Sequence, residues 1–167
     1  YTAPGGIRVE LVDAARKAMA LGNAALQEKR FADALRAFEG SPPEAMAFLR
    51  LRLAYGQGLA LAGLGKPAEA SERFGLVAGD LQALGWLSRA AMALRECARH
   101  AGALPDRVAA LDPLKRLVAL ATTRGDPPSI VGAWNALGWR QGELGQWDEA
   151  AKSHTQAWPR STSSGMM

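Results

Sequence analysis

The side chains that could carry out chemistry are few and far apart in this sequence. His100 and His154 fall in different predicted helices, which argues against a shared metal site. Cys97, the single cysteine, lies among alanine and leucine residues, where buried thiols are usually inert. The segment GLGK at 63–66 is too short for a phosphate-binding loop, and no serine or threonine follows its lysine. The sequence therefore predicts no catalytic residue, no metal site and no cofactor.

Composition narrows the class of protein further. The chain has 167 residues, of which 49% are hydrophobic, and this is enough to fill the core of one domain. Its net charge is only +4, because 20 basic residues face 16 acidic ones, so no basic tract of a nucleic-acid-binding protein is present. No apolar run is long enough for a membrane span. A single cysteine fits a reducing compartment, and we expect a cytoplasmic protein.

Residue types and turn signals predict an all-α fold. Alanine and leucine dominate the apolar residues, whereas β-branched residues are sparse. Glycine and proline divide the chain into about eight helical segments joined by short connections, which indicates antiparallel neighbours. We expect a flexible N-terminal segment at 1–8, one domain at 9–158 and a flexible C-terminal tail at 159–167.

One pattern of small and bulky residues recurs along the chain. In the last copy it comprises Trp134, Leu137, Gly138, Gly145, Trp147, Ala150 and Ala157. The same frame fits two upstream stretches, with Leu21, Gly22, Ala25, Phe31, Ala34 and Phe38 in one and Gly58, Leu61, Gly65, Ala70 and Phe74 in the other. Gly22 and Gly58 are thus equivalent, at a spacing close to a repeat of about 34 residues.

These motifs resemble the tetratricopeptide repeat (TPR), although Gln141 and His154 stand where that family usually has aromatic residues. The resemblance implies a right-handed superhelical solenoid of about four antiparallel helix pairs. A degenerate third pair is expected between the second and the last, with Leu94 and Gly102 in the frame. Small residues would let paired helices approach closely, and five aromatic residues would be packing anchors between them: Phe31, Phe38, Phe74, Trp134 and Trp147.

The resemblance also implies a concave groove, lined by the first helix of each pair, that binds a protein or peptide partner. Carried onto this sequence, the groove residues are Arg16, Met19, Asn23, Arg52, Tyr55, Leu59, Arg89, Met92, Arg99, Asn135 and Trp139. Three arginines, at 16, 52 and 89, share one position of the repeat and would form a ladder of donors suited to carboxylates. We therefore expect a non-catalytic scaffold for a partner segment with acidic and apolar character.

Alternatives remain open at this point. The arginines could instead pair with neighbouring acids, such as Glu10 or Glu96, and only make the surface of the groove hydrophilic. The chain could also be a self-assembly module, because its final helix pair reaches Ala157 and Trp158 without a polar capping helix, which would favour a homo-oligomer through that end. RNA binding is weakly indicated, since regularly interleaved aromatic residues are missing.

Overall fold

The structure, a computed structural model, describes residues 4–40 and 47–163 of the chain, with side chains at 12–40 and 47–158. All regular secondary structure in these ranges is helical. The α-helices are α1 (Pro4–Gln27), α2 (Phe31–Glu39), α3 (Ala47–Gly63), α4 (Pro67–Ala83), α5 (Leu87–Ala101), α6 (Leu111–Arg124), α7 (Pro127–Glu143) and α8 (Trp147–Ser163). A short 3₁₀ helix, Arg107–Ala110, precedes α6. The predicted all-α fold is confirmed.

Both terminal helices extend further than the sequence predicted. Helix α1 begins at Pro4, inside the segment 1–8 that was expected to be flexible, and α8 continues through Pro159 to Ser163. A proline at the first helical position lacks only an N–H that would have no partner there, so Pro4 can open a helix. The structure thus describes residues 4–8 and 159–163, where flexible segments were expected, as helical. Residues 1–3 and 164–167 lie outside the described ranges.

Each helix packs against the next one along the chain, and α1 also packs against α3. Connections of a few residues join most of these neighbours, so successive helices run antiparallel. Their buried residues form clusters between the layers, from Ala15 to Ala60 near the N-terminus and from Leu51 to Leu137 through the centre. The arrangement is the predicted TPR-like series of four helix pairs.

One turn recurs where the two helices of a pair meet. Lys29, Gly65 and Gly145 follow α1, α3 and α7, and each adopts a left-handed backbone with φ between 57° and 75°. The residue after each of them donates a backbone hydrogen bond to the carbonyl five residues back and so closes the helix, for example from Lys66 N to Leu61 O at 3.0 Å. Because this turn is short, it sets the next helix directly against the previous one.

The predicted third pair does not contain this turn at Gly102. The backbone of Gly102 stays right-handed (φ −68°), and an irregular loop with the 3₁₀ helix leads to α6. The turn occurs instead between α4 and α5, where Gly85 is left-handed and Trp86 N bonds to Leu81 O at 2.9 Å. The pair α5–α6 is thus irregular, as expected, but the assignment of Gly102 to the turn position is wrong.

Glycines on the first helix of three pairs receive a ring from the second helix. A β-carbon on Gly58 would lie 2.8 Å from the Phe74 ring, and one on Gly138 would lie 2.8 Å from His154. A β-carbon on Gly22 would collide with Phe38 in the same way. Real β-carbons do not approach other atoms this closely, so only glycine permits the observed helix separation. The predicted contact of small and bulky residues is confirmed.

The expected packing anchors fall into two groups. Phe38 and Phe74 are buried, at 1% and 0% exposure, and Trp134 is partly buried against the central cluster. Phe31 is half-buried where α2 meets Gly63 of α3. Trp147 is 71% exposed, so its assignment as a buried anchor is wrong. Phe31 occupies the same repeat position as Trp147 and is covered by the helix pair that follows it, whereas no described helix follows α8.

Candidate functional site

A groove with a volume of about 450 Å³ opens between α1, α3, α4 and α5. Seven of the eleven predicted groove residues line it, namely Met19, Asn23, Arg52, Tyr55, Leu59, Arg89 and Met92. They come from α1, α3 and α5, the first helices of three successive pairs. The structure therefore brings together in one cavity residues that are up to 73 positions apart, as the repeat frame implied.

The floor of the groove is apolar. Leu51, Val77 and Leu81 line it with their buried side chains, and Val77 and Leu81 come from α4, which lies behind the first helices. Tyr55 packs edge-on against Phe74, with ring centroids 5.0 Å apart. Met92 is exposed at the rim, where its flexible thioether can adapt to a bound side chain. This floor suits apolar groups.

Two arginines and two aromatic rings form one end of the groove, which we call the arginine–aromatic rim (Phe48, Arg52, Trp86 and Arg89). The guanidinium carbons of Arg52 and Arg89 lie 5.6 Å and 5.4 Å from the centroid of the Phe48 ring. Arg89 also lies 5.9 Å from the Trp86 ring, and the two rings meet edge-on at 5.5 Å. These distances are in the range of cation–π contacts, which hold planar guanidinium groups against a ring.

Sequence reasoning missed Phe48 and Trp86. Phe48 precedes Arg52 by four residues on α3, and Trp86 precedes Arg89 by three at the start of α5. Residues three or four apart share one face of a helix, so each ring lies beneath its arginine. A search for aromatic residues one turn before the ladder arginines would have found both.

Arg52 and Arg89 have no carboxylate within 4.0 Å among the side chains that the structure describes. Glu96, the acid that could have neutralised the ladder, pairs with Arg99 and lies 3.4 Å from His100. The alternative in which Glu96 pairs with Arg89 is therefore not observed, and the side chain of Glu10 lies outside the described ones. Among the described side chains, the two cationic groups at the rim therefore have no acidic partner.

The other four predicted groove residues lie outside this cavity. Arg16 is an exposed residue of α1, and Arg99 is held by Glu96 on α5. Asn135 places its Oδ1 atom 3.1 Å from Nδ1 of His154, which joins α7 to α8. Trp139 is 71% exposed and meets His154 edge-on at 6.0 Å. The ladder of three arginines is therefore reduced to two at the groove.

Burial shifts the pKa values of two titratable groups, Tyr55 in the groove and His100 behind it. The His100 ring stacks on Phe74 with centroids 5.7 Å apart. Burial lowers the pKa of His100, and the nearby Arg99 adds to this effect against the opposing influence of Glu96. Burial raises the pKa of Tyr55, and the charge of Glu96 raises it further. These groups are therefore neutral at neutral pH, so the charge of the groove comes from its rim.

Neither a metal-binding cluster nor a membrane-spanning helix is found among the described residues. No cluster of three or more histidine, cysteine, aspartate or glutamate side chains with metal-binding geometry occurs among the described residues. Burial raises the pKa of the Cys97 thiol, which lies 3.5 Å from Ser71 Oγ. None of the described helices has both the length and the hydropathy to span a bilayer.

Comparisons with known proteins return solved structures alone. No family model matches the chain, and no curated protein matches it. Two crystal structures of MamA align at 13% and 14% identity, covering 88% and 89% of this chain and 98% and 92% of theirs, with TM-scores of 0.36 and 0.33. A kinesin light chain structure from Podosopora anserina with nearly identical TPR-like repeats aligns at 15% identity, covering 91% of this chain and 97% of its own, with a TM-score of 0.37. The TPR-like character of this chain is carried by its own paired helices, left-handed turns and glycine–ring contacts.

Proposed function

We propose that the chain is a protein-interaction scaffold whose groove binds a partner segment with a carboxylate beside an apolar side chain. The observation that carries the proposal is the arginine–aromatic rim, in which Arg52 and Arg89 both lie within cation–π distance of the Phe48 ring. Neither arginine has an acidic partner among the described side chains. A carboxylate from outside would supply the missing partner for both donors.

The rim holds these arginines ready for a planar anion. A guanidinium group that lies against a ring has lost part of its side-chain freedom before binding, so less entropy is lost when it meets a carboxylate. Its N–H donors point along the plane of the group, in the fork arrangement that suits carboxylate oxygens. The rim therefore favours aspartate or glutamate over asparagine or glutamine.

The apolar floor supports the second half of the proposal. Leu51, Val77 and Leu81 lie next to the rim in the same cavity, and Met19 and Met92 approach from α1 and α5. A leucine or aromatic side chain near the carboxylate would remove this surface from water, at about 25 cal/mol per Å² of apolar area buried. Affinity would come mainly from this burial, and the rim would give the preference for a negatively charged side chain on the partner.

The test measures binding of fluorescent peptides that carry glutamate next to leucine or phenylalanine. We expect Arg52→Ala and Arg89→Ala each to weaken binding by about tenfold, as for charge-assisted contacts worth roughly 1.5–3 kcal/mol. Arg95→Ala is the matched control, because Arg95 is exposed on α5 and does not line the groove. Rising salt should weaken binding to the wild type more than to either rim variant. Binding that responds to neither substitution would rule out the rim as the site.

A further inference from the structure

The groove contains both methionines whose side chains the structure describes. Met19 comes from α1 and Met92 from α5, and both line the cavity beside its apolar floor. Met19 is half-buried, whereas Met92 is 55% exposed. Cys97, the remaining sulfur-containing side chain among the described ones, is only 8% exposed, and burial raises its pKa. The most exposed sulfur-containing side chain of the described residues therefore lies at the groove.

A thioether in such a position is open to oxidation by a peroxide. The sulfur lone pair attacks one oxygen of hydrogen peroxide, an S–O bond forms and the O–O bond breaks. The proton of the transferred hydroxyl passes to the departing hydroxide, which leaves as water. The sulfur is thereby oxidised to a sulfoxide and the peroxide is reduced. Because access of the peroxide to the sulfur follows exposure, Met92 is expected to react before Met19 and Cys97.

Met92 lies one helical turn beyond Arg89, a member of the arginine–aromatic rim. Residues three apart on a helix share one side of it, with β-carbons about 5–6 Å apart. The Arg89 guanidinium lies 5.4 Å from the Phe48 ring centroid, and no carboxylate lies within 4.0 Å of it among the described side chains. A new hydrogen-bond acceptor on Met92 would therefore be within reach of a donor group that has no acidic partner there.

We propose that Met92 is an oxidation site that controls the groove, where peroxide creates a sulfoxide whose oxygen accepts a hydrogen bond from Arg89. This inference rests on the proposed function, because it concerns the same groove. The sulfoxide oxygen occupies an Arg89 donor that the partner's carboxylate would otherwise use. Its polarity also removes an adaptable apolar contact from the rim of the groove. Oxidation therefore weakens binding of a segment that carries a carboxylate beside an apolar side chain.

The oxidation is reversible by methionine sulfoxide reductases supplied with a dithiol. Two thiols of the reductant are oxidised to a disulfide, the sulfoxide oxygen leaves as water, and the thioether is restored. Separate reductases act on the two sulfoxide epimers, so full recovery requires both enzymes. Recovery of binding after this treatment separates the effect of one added oxygen atom from irreversible damage to the fold.

Mild treatment with hydrogen peroxide, followed by peptide mapping in a mass spectrometer, tests the site. Met92 sulfoxide should accumulate before Met19 sulfoxide. The affinity for a fluorescent peptide with glutamate next to leucine should then fall by about tenfold, as much as Arg89→Ala is expected to remove, and should recover after reduction by both reductases. Met92→Leu is the matched control, because it retains Cys97 and every other methionine of the chain. The same treatment should leave the affinity of this variant at its own starting value.

The Arg89→Ala variant tests the hydrogen bond itself. Oxidation should weaken its peptide binding by a smaller factor than in the wild type, because the sulfoxide then acts through its polarity alone. An equal factor would overturn the proposal.

Three further results would also overturn it. They are oxidation of Met19 before Met92, an affinity that complete oxidation of Met92 leaves unchanged, and an equal loss of affinity in Met92→Leu. Each of them leaves the proposed function intact. If the untreated wild type does not bind the peptide through Arg52 and Arg89, the proposed function is wrong and this inference is overturned with it.

Discussion

The Phe74 ring occupies the space that a side chain on Gly58 would need, with ring carbons 2.8 Å from the position of the missing β-carbon. Phe74 is completely buried, and it also contacts Tyr55 in the groove and His100 on α5. The glycine thus sets the separation of α3 and α4, and through Phe74 it fixes the position of one groove residue. The packing of the repeat and the shape of the site depend on the same contact.

Substitution of this glycine gives the first prediction. Gly58→Ala should lower the free energy of unfolding by about 1–3 kcal/mol, because the new methyl group meets a buried ring that cannot move away. Gly132→Ala on α7 is the matched control, since nothing lies within 4 Å of its β-carbon position. There the better helix propensity of alanine should stabilise the fold by about 0.8–1 kcal/mol. Urea denaturation measures both, and equal effects of the two substitutions would contradict the close-approach explanation.

A buried hydrogen bond gives the second prediction. Ser153 Oγ donates to Gln141 Oε1 at 2.6 Å, and both residues are buried between α7 and α8. Gln141→Ala should cost about 1–3 kcal/mol, because it leaves the buried Ser153 hydroxyl without its acceptor. The double variant with Ser153→Ala should be less destabilised than the sum of the two single variants. Additive losses in thermal or urea unfolding would mean that this bond contributes nothing specific.

The third prediction concerns stability at mildly acidic pH. Burial lowers the pKa of His100 in the folded chain below its ordinary value of 6.5, so the unfolded chain binds the proton more readily. The contribution of His100 to stability is therefore present above this ordinary value and is lost as the pH falls towards the folded-state pKa. We expect His100→Phe to lose less unfolding free energy than the wild type between about pH 7.5 and pH 5.5. Parallel curves for the two proteins would refute this role.

Thiol labelling gives the fourth prediction. Cys97 is 8% exposed, and burial raises its pKa, so little reactive thiolate is present in the folded chain. A chromogenic disulfide reagent should therefore label native protein at least about tenfold more slowly than protein unfolded in urea. Labelling at equal rates would show that Cys97 is accessible and that the packing of α5 against α4 is looser than described.

The sequence frame predicted the fold well where the local pattern was complete. The positions of Gly22, Gly58 and Gly138 opposite bulky residues followed from residue size and spacing, and the structure confirms them. The pair α5–α6 was less predictable, because a left-handed turn favours a glycine at one defined position and both Gly85 and Gly102 were available. Backbone conformation distinguishes them, and composition alone does not.

The site was predicted in part for a similar reason. The frame placed Arg52, Arg89 and their apolar neighbours on first helices, and these helices do converge on one groove. It could not show that Arg16 would remain outside, because the curvature of the stack determines which turns of α1 reach the cavity. Trp147 was misjudged because burial of its repeat position requires a following helix pair, which the position itself does not reveal.

One affinity ratio tests the central claim most directly. A single peptide is compared with its glutamate-to-glutamine isostere, against wild type and against a variant with both Arg52→Ala and Arg89→Ala. The groove account predicts at least about tenfold preference for glutamate in the wild type and a ratio near one in the double variant, because a charge-assisted contact is worth roughly 1.5–3 kcal/mol. An undiminished preference for glutamate in the double variant would contradict it.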